Sequence, residues 1–230
     1  MPLLAILSDL HCNRDRPGGD PLMDHLLAEA VQRLNTHVRP DVVVIPGDLI
    51  ENPEDLELLQ SVKDVLDRLN CPYLVLPGNH DPVREVFYSI FPDPGPQRDV
   101  AGIRFLCFVD PEAAGHCATR PANGIERMHR CREDGFEGVV IALQHVAVMP
   151  PGAIRSPHRY TNTIEVLAAM ERSRIDLAIG GHVHFASKLI QSGRSRCLSA
   201  GKLGEPPHPY TLIKLDSDSL SSCTEFLVNE

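Results

Sequence analysis

The sequence lacks several features that would place it in common protein classes. No apolar stretch approaches the roughly 20 residues that a membrane-spanning helix needs, so we expect no membrane segment. Lys and Arg number 22 against 31 Asp and Glu, which gives a formal net charge of −9. This acidic balance and the absence of Lys/Arg runs argue against a nucleic-acid duplex as a partner, because such a partner usually needs a basic face.

Signs of secretion are also missing. The first apolar run has no basic segment before it and leads directly to Asp9, so it predicts a first strand and not a signal peptide. The seven cysteines are odd in number and show no C-x-x-C spacing. Free thiols in a reducing compartment are the simplest interpretation, and we therefore expect a cytoplasmic protein.

The length limits the domain organisation. A chain of 230 residues is long enough for one well-packed α/β domain and leaves little room for a second. The sequence shows neither an internal repeat nor a linker. We predict a single domain over residues 1–230.

The sequence does contain five short apolar runs that each end in a residue type able to bind a metal. The runs occupy residues 4–7, 42–45, 73–76, 139–143 and 177–179. Short apolar runs of this kind, closed by Gly or Pro, predict buried strands. In open α/β sheets, ligands bind beyond the carboxyl ends of such strands. We therefore expect one rim of the fold to gather seven polar residues: Asp9, His11, Asp48, Asn79, His145, His182 and His184.

The order of these residues resembles the calcineurin-like metallophosphoesterase superfamily. Its signature consists of D-x-H, G-D, G-N-H-D/E, a lone H and G-H-x-H. This chain has the five blocks in that order, at residues 9–11, 47–48, 78–81, 145 and 181–184. One block alone would be a weak signal, but five in order, each behind a predicted strand, are specific. Ordinary turn and capping roles for these residues would require seven coincidences.

The resemblance implies a four-layer α/β/β/α sandwich, with two mixed sheets packed face to face and helices outside. It also implies two divalent metal ions. Metal position A would contain Asp9, His11, Asp48 and His184. Metal position B would contain Asp48, Asn79, His145 and His182. Asp48 would bridge the two ions, and this ligand mixture suits Mn, Fe and Zn without selecting among them.

The resemblance gives His80 a catalytic role without a metal bond. It implies that His80 contacts the phosphate and protonates the leaving group as a general acid. Two roles stay open for Asp81. It could be the N-cap of a helix that begins at Pro82, which would place a positive helix end near the phosphate, or it could orient His80.

The loop after the first block holds further candidates. Many members of the family continue D-x-H with G-N, whereas this chain continues with Cys12 and Asn13. We expect Asn13 and Arg14 to contact the substrate phosphate, together with Asn79 and His80. Because a nearby cation favours a thiolate, we also expect Cys12 to make activity sensitive to oxidants.

The rest of the chain is predicted from periodicity and turn residues. Helices are expected after Asp20-Pro21, Asn52-Pro53 and Asp81-Pro82, and a capping box of Asn162 with Glu165 predicts another that ends near Arg172. A hairpin is expected about Ala101-Gly102, and a short helix near 121–132 in the otherwise unclear segment 110–137. Four strands are predicted towards the end, at residues 185–191, 194–199, 210–215 and 220–228.

These expectations describe a dinuclear, metal-dependent phosphoesterase. The favoured reaction is hydrolysis of a small phosphodiester by a hydroxide that bridges the metals, as the resemblance implies. Phosphomonoester hydrolysis stays open, because the same metal core serves both reactions. A non-catalytic scaffold of the same fold is the alternative of another class, and the intact His80 and ligand set argue against it. The sequence selects neither the natural substrate nor the oligomeric state.

Overall fold

The computed structural model describes residues 1–16, 19–20, 25–215 and 220–227. Its strands are β1 (Leu3–Ile6), β2 (Val42–Ile45), β3 (Tyr73–Val75), β4 (Gln97–Val100), β5 (Ile103–Phe108), β6 (Glu112–Ala113), β7 (Cys117–Ala118), β8 (Val139–Val146), β9 (Leu177–Gly181), β10 (Ile190–Ser192), β11 (Ser195–Ser199), β12 (Pro209–Leu215) and β13 (Leu220–Phe226). Its helices are α1 (Leu27–Arg33, continued by a π-helical turn Leu34–Val38), α2 (Leu56–Leu66), α3 (Arg84–Ile90), α4 (Ala122–Arg130) and α5 (Thr163–Ser173).

Two mixed sheets form the centre of the structure. The first has the order β13-β12-β1-β2-β3. β1, β2 and β3 are parallel to one another, and β12 pairs antiparallel with both β1 and β13. The second has the order β10-β11-β9-β8-β5-β4, with four parallel strands in its middle and an antiparallel strand at each edge. A small hairpin of β6 and β7 stands apart from both sheets.

The strands are buried on both faces because their alternate side chains enter different hydrophobic clusters. In β1, Leu4 and Ile6 pack between the sheets against Phe105 and Ile141 of the second sheet. Ala5 lies on the opposite face of β1, among the side chains of α1, α2 and α3. The outer face of the second sheet packs in the same way against α4 and α5. The layers therefore run helix, sheet, sheet, helix, and the predicted α/β/β/α sandwich is confirmed.

Two predicted helix starts are wrong. The helix expected after Asn52-Pro53 begins later, at Leu56, where the Asp55 carboxylate accepts a hydrogen bond from the Leu58 amide. Asn52 instead accepts from the Glu54 amide in a local turn. The helix expected after Asp81-Pro82 begins at Arg84, and no side chain caps it. The start predicted at Asp20-Pro21 falls on residues 21–24, which lie outside the described residues.

Other local predictions are confirmed. β4 and β5 pair about Ala101 and Gly102, and both turn residues have the positive φ values, 52° and 77°, that a tight hairpin turn requires. α4 falls inside the helix predicted near 121–132. α5 also forms, but Asn162 does not cap it, because its amide group binds the main chain of Arg120 and the Glu165 carboxylate instead.

The strand predicted at 185–191 is mostly wrong. Residues 185–189 have no regular structure, and only the short β10 forms at the end of the segment. The strands at 194–199 and 210–215 are confirmed by β11 and β12, and β13 confirms the described part of the last one.

Two expectations from composition can be compared with the structure. All seven cysteines are free thiols, as expected. Across the residues with described positions, no helix is long and apolar enough to cross a membrane.

Candidate metal centre

The loops that follow strands of both sheets converge on one site. β1, β2 and β3 lead into the loops that carry Asp9 and His11, Asp48, and Asn79, respectively. In the second sheet, His145 lies near the end of β8, and β9 leads to His182 and His184. Three clusters of potential ligands form there: Asp9, His11, Asp48 and His184; Asp48, His145 and His182; and His11, Glu51 and His80. These clusters contain six of the seven predicted metal ligands, and the seventh, Asn79, lies 3.0 Å from Nε2 of His145.

The backbone at this site adopts a conformation that most residues avoid. Asp9, His11, Asp48, His182 and His184 have φ values of 51°, 45°, 55°, 66° and 55°. The left-handed region costs a non-glycine residue about 1–2 kcal/mol. Such strain persists only where the surrounding structure enforces it, and it is typical of functional sites.

Position A is formed by side chains from the ends of β1, β2 and β9. The Nε2 atom of His11 lies 3.1 Å from Nε2 of His184 and 3.4 Å from Oδ2 of Asp48. Nε2 of His184 lies 3.6 Å from Oδ1 of Asp9. Four donor atoms from distant parts of the chain therefore surround one point.

Position B is formed around His145. Its Nε2 atom lies 3.0 Å from Oδ1 of Asn79, 3.2 Å from Nδ1 of His182 and 3.3 Å from Oδ2 of Asp48. The same oxygen of Asp48 also faces His11 in position A. Asp48 thus faces both positions. The backbone of Gly78 packs directly against it, and a Cβ at Gly78 would overlap Oδ1 of Asp48.

Hydrogen bonds outside the site orient three of the imidazoles. Nδ1 of His11 lies 2.7 Å from the Glu51 carboxylate, Nδ1 of His145 lies 2.8 Å from the carbonyl oxygen of Pro46, and Nε2 of His182 lies 2.8 Å from that of His116. Each of these oxygens accepts a hydrogen bond from an imidazole N–H, so in the neutral imidazole the other nitrogen presents its lone pair to the centre.

The positions of the inner imidazole nitrogens show whether the residues fit a metal. The inner nitrogens of His145 and His182 would present lone pairs to each other at 3.2 Å, next to a carboxylate oxygen of Asp48. Without a proton or a cation between them, such contacts are repulsive. The donor set of imidazole, carboxylate and carboxamide is one that divalent transition metals accept. The residues therefore fit two cations, one at each position.

The electrostatics of the site agree with this conclusion. Burial opposes protonation of His145, but the Asp48 carboxylate outweighs it and raises the pKa of His145 to about 9. Burial and the Asp48 charge raise the pKa of Asp9 to about 6. Burial lowers the pKa values of His182 and His184 to about 4. Without a cation, a buried cluster that contains the two carboxylates of Asp9 and Asp48 therefore holds a proton at the place where a metal would bind.

His80 stands beside the ligands and remains accessible. Its ring centroid lies 4.8 Å from that of His11, and its side chain is 37% exposed. Its backbone amide donates a hydrogen bond to Oδ1 of Asp48, and Nδ1 lies 3.4 Å from the carbonyl oxygen of Glu51. The side chain can therefore meet a substrate while its loop is fixed to the bridging carboxylate.

Asp81 is not the N-cap of α3, which was one of its two predicted roles. Its buried carboxylate accepts hydrogen bonds from the amides of Gly78, Leu49 and Ile50. It joins the loop after β3 to the loop after β2, and it makes no hydrogen bond to the His80 ring. Burial, followed by the charge of Asp48, raises its pKa to about 7.

The remaining predicted residues lie in the loop after β1. The Asn13 side chain accepts from the Asp15 amide in a local turn. Arg14 is about half exposed and pairs with Asp55 and Glu57 at the beginning of α2. Cys12 is fully buried, and burial raises the pKa of its thiol well above the usual value. This contradicts the expected oxidant-sensitive thiolate, because the side chain packs in the apolar cluster under the helices.

Sequence reasoning missed Glu51 and the segment around His116. Glu51 follows Asp48 by three residues and carries no motif of its own, yet it contacts both His11 and His80. The hairpin of β6 and β7 brings the His116 carbonyl to His182, and the His158 ring lies 4.9 Å from the His182 ring. Only the abundance of His in 116–184 could have indicated this neighbourhood.

A cavity of about 250 Å³ opens beside position B. Asn79, His145 and His182 line one side of it. The other side is formed by Phe108, Val109, Asp110, Cys117 and Tyr160. Its size suits a small organic group.

Comparisons with known proteins agree with this geometry. A sequence model of the calcineurin-like phosphoesterases matches residues 2–186. A glycerophosphodiester phosphodiesterase, GpdQ, of Enterobacter lignolyticus is 30% identical over 160 residues, which are 63% of this chain and 56% of the relative. The chain thus matches little more than half the length of that relative.

Solved structures share the fold. A dimetal phosphatase from Danio rerio superposes with a TM-score of 0.77 at 16% identity, over 99% of this chain and 98% of that one. The protein TT1561 of Thermus thermophilus superposes with a TM-score of 0.70 at 14% identity, over 99% of both chains.

Proposed function

The chain belongs to the calcineurin-like phosphoesterase family, and we propose that it hydrolyses a small phosphodiester with two divalent cations at positions A and B. The observation that carries the proposal is the shared Oδ2 atom of Asp48. It lies 3.4 Å from the inner nitrogen of His11 and 3.3 Å from that of His145. One carboxylate oxygen between two sets of inward-facing imidazoles is the arrangement that a pair of bridged cations requires.

Bound at these positions, two cations would polarise the phosphoryl group and lower the pKa of a water molecule that attacks phosphorus. The chain itself supplies the remaining steps. His80 donates a proton to the oxygen of the leaving alcohol, which its exposed imidazole can reach. Glu51 holds His11 and lies 3.6 Å from Nδ1 of His80, so it orients both rings. Asp81 fixes the loop that carries Asn79 and His80.

Several observations favour a small diester. The chain has a net charge of −9, which disfavours a long polyanion such as duplex DNA. The cavity beside position B has room for a second ester group. The relative from Enterobacter is named as a phosphodiesterase. Arg14 and Asn13 stay candidates for substrate contacts, and Arg14 would have to leave its acidic partners on α2 to make one.

The test is a substrate panel on protein reconstituted separately with Mn, Fe and Zn. Bis(p-nitrophenyl) phosphate, p-nitrophenyl phosphate, a cyclic nucleotide and duplex DNA represent the competing classes. We expect a higher kcat/KM for the diester than for the monoester, no cleavage of duplex DNA, and loss of all activity with EDTA. A clear preference for the monoester would replace the diesterase proposal with the phosphomonoesterase alternative. Tight binding of two metals with no turnover of any ester would favour the scaffold.

A further inference from the structure

The wall of the cavity beside position B includes a buried charged side chain that the proposed reaction does not use. Asp110 follows β5 and lines this cavity, and it also lines an adjoining one of about 260 Å³. Its side chain is only 6% exposed. A buried carboxylate at the wall of a substrate cavity needs a physical explanation.

One oxygen of the carboxylate, Oδ2, belongs to a buried hydrogen-bond network. Oδ2 of Asp110 accepts hydrogen bonds from Nε and Nη2 of Arg120, at 3.0 and 2.8 Å, and from the Tyr160 hydroxyl at 2.6 Å. Arg120 is itself fully buried and also donates to Gln144, the neighbour of His145. Its guanidinium stacks over the Phe108 ring at 3.5 Å. Asp110 is therefore held rigidly, and its charge is neutralised by Arg120.

The other oxygen, Oδ1, has no such partner among the described residues. All three hydrogen bonds go to Oδ2, and Oδ1 makes none to the residues whose positions are described. Oδ1 is also not sealed in the interior. Among the described residues, the only buried polar side-chain atoms without a partner are the Tyr210 hydroxyl and the Thr211 hydroxyl. Oδ1 is therefore accessible to solvent, and Asp110 lines both cavities.

We propose that Oδ1 of Asp110 accepts a hydrogen bond from a hydroxyl group of the substrate, and that the enzyme prefers phosphodiesters of polyols or sugars. This inference rests on the proposed phosphodiesterase function and names its substrate class. The same cavity is lined by Asn79, His145 and His182, so an ester group that extends from position B reaches Asp110. A neutral hydroxyl fits better than an ammonium group, because Arg120 already neutralises Asp110.

The test compares matched chromogenic diesters that differ only in hydroxyl groups. For wild type, we expect kcat/KM for p-nitrophenyl glyceryl phosphate to exceed that for p-nitrophenyl propyl phosphate by about 10-fold or more, because a buried acceptor left unpaired penalises the propyl compound. In Asp110→Asn, the amide oxygen must face Arg120 and the amide nitrogen faces the cavity. The amide nitrogen can still donate to a hydroxyl oxygen, but this neutral hydrogen bond is weaker than one to a carboxylate, so the preference should fall by about 3-fold or more.

The matched control is Tyr160→Phe. It removes a hydrogen bond to Oδ2 but leaves Oδ1 unchanged, so the glyceryl preference should persist. A ratio measured for two substrates on one preparation does not depend on the fraction of folded enzyme. Equal rates with both diesters in wild type would overturn the proposal, as would an unchanged preference in Asp110→Asn. A higher kcat/KM for the 2-aminoethyl diester than for the glyceryl diester would overturn the choice of a hydroxyl.

Binding separates this inference from the proposed function. Calorimetry of metal-loaded protein with glycerol 3-phosphate and with propyl phosphate requires no turnover. Tighter binding of glycerol 3-phosphate that is weakened in Asp110→Asn would support the hydroxyl contact even if no diester were hydrolysed. Equal affinities would refute the contact even in an active diesterase.

Discussion

Positions A and B use similar residues but are held in different ways. In position B, the outer nitrogens of His145 and His182 face backbone carbonyl oxygens. In position A, the outer nitrogen of His11 faces Glu51, a side chain that is 43% exposed, and His184 is itself 38% exposed. Position B is therefore fixed by the main chain, whereas position A depends on a side chain that solvent reaches. The difference indicates that A is the adjustable position and B the rigid one.

Protonation separates the two positions as well. His145 in position B has a pKa raised to about 9, because the Asp48 charge outweighs burial. In position A, burial lowers the pKa values of His11 and His184. Near neutral pH, a cation must displace a proton from B, whereas the imidazoles of A are already free.

The largest effect on both positions is expected for Asp48→Ala, which removes the residue that they share. We expect loss of both metals and a fall in kcat of roughly 10³-fold or more, because each cation stabilises transition-state charge by several kcal/mol. Elemental analysis and diester kinetics measure the two effects. Asp64→Ala, an exposed aspartate on α2, is the control and should change neither. Retention of one metal at full occupancy would show that Asp48 is not a bridge.

His80→Ala should separate catalysis from metal binding. We expect both metals to remain and kcat to fall by roughly 10²–10⁴-fold for an alkyl leaving group, which is typical of a lost general acid. The loss should be much smaller for nitrophenolate, which needs little protonation. Comparison of the two leaving groups with metal content on the same preparation measures this. An equal loss for both leaving groups would rule out the general-acid role.

Glu51→Gln should sharpen the contrast between the positions. Loss of the carboxylate that orients His11 should weaken the metal at position A by roughly 10–100-fold and leave position B nearly unchanged. Metal titration with a competing chelator resolves the two affinities. Glu57→Gln, which removes an exposed carboxylate at the start of α2, is the matched control. Equal weakening at both positions would contradict the assignment of Glu51 to position A.

The smallest expected effect is a difference in pH dependence. A His145 pKa of about 9 lies above the ordinary 6.5, so its proton stabilises the metal-free fold below pH 6.5, and this stabilisation is lost as pH rises through 9. Metal affinity at B should therefore rise about tenfold per pH unit between 7 and 9. Affinity at A should change less, because its imidazoles are neutral above pH 6.5. Chelator competition at pH 7, 8 and 9 measures both slopes, and parallel slopes would contradict the assignment.

The convergence of the predicted metal ligands followed from the sequence, because each lies at the end of an apolar strand. Asp9 and Asp48 follow adjacent parallel strands, and the packing of the two sheets brings the His182 amide to Asp9. The four layers followed from the family resemblance, and the apolar clusters on both faces of the sheets agree with it.

Contacts between distant segments could not be predicted in this way. Asp81 resembles an N-cap locally, but its carboxylate binds amides some thirty residues earlier, at Leu49 and Ile50. Glu51 acts through a turn that places it against His11, and the partners of Asp110 lie at residues 120 and 160. Cys12 shows the same limit, because its position next to a ligand in sequence gave no indication that its side chain points into the core.

The left-handed backbone at five of the ligands has a consequence for how such a protein can change over evolutionary time. A glycine at any of these positions would relax the backbone by about 1 kcal/mol. For His184, whose side chain is partly exposed, the substitution would empty no part of the core. Loss of this side chain would therefore increase the stability of the metal-free fold while removing a predicted metal ligand. In a lineage released from selection for hydrolysis, replacement of His184 by glycine would be favoured, and the inert descendant would be more stable than its catalytic ancestor.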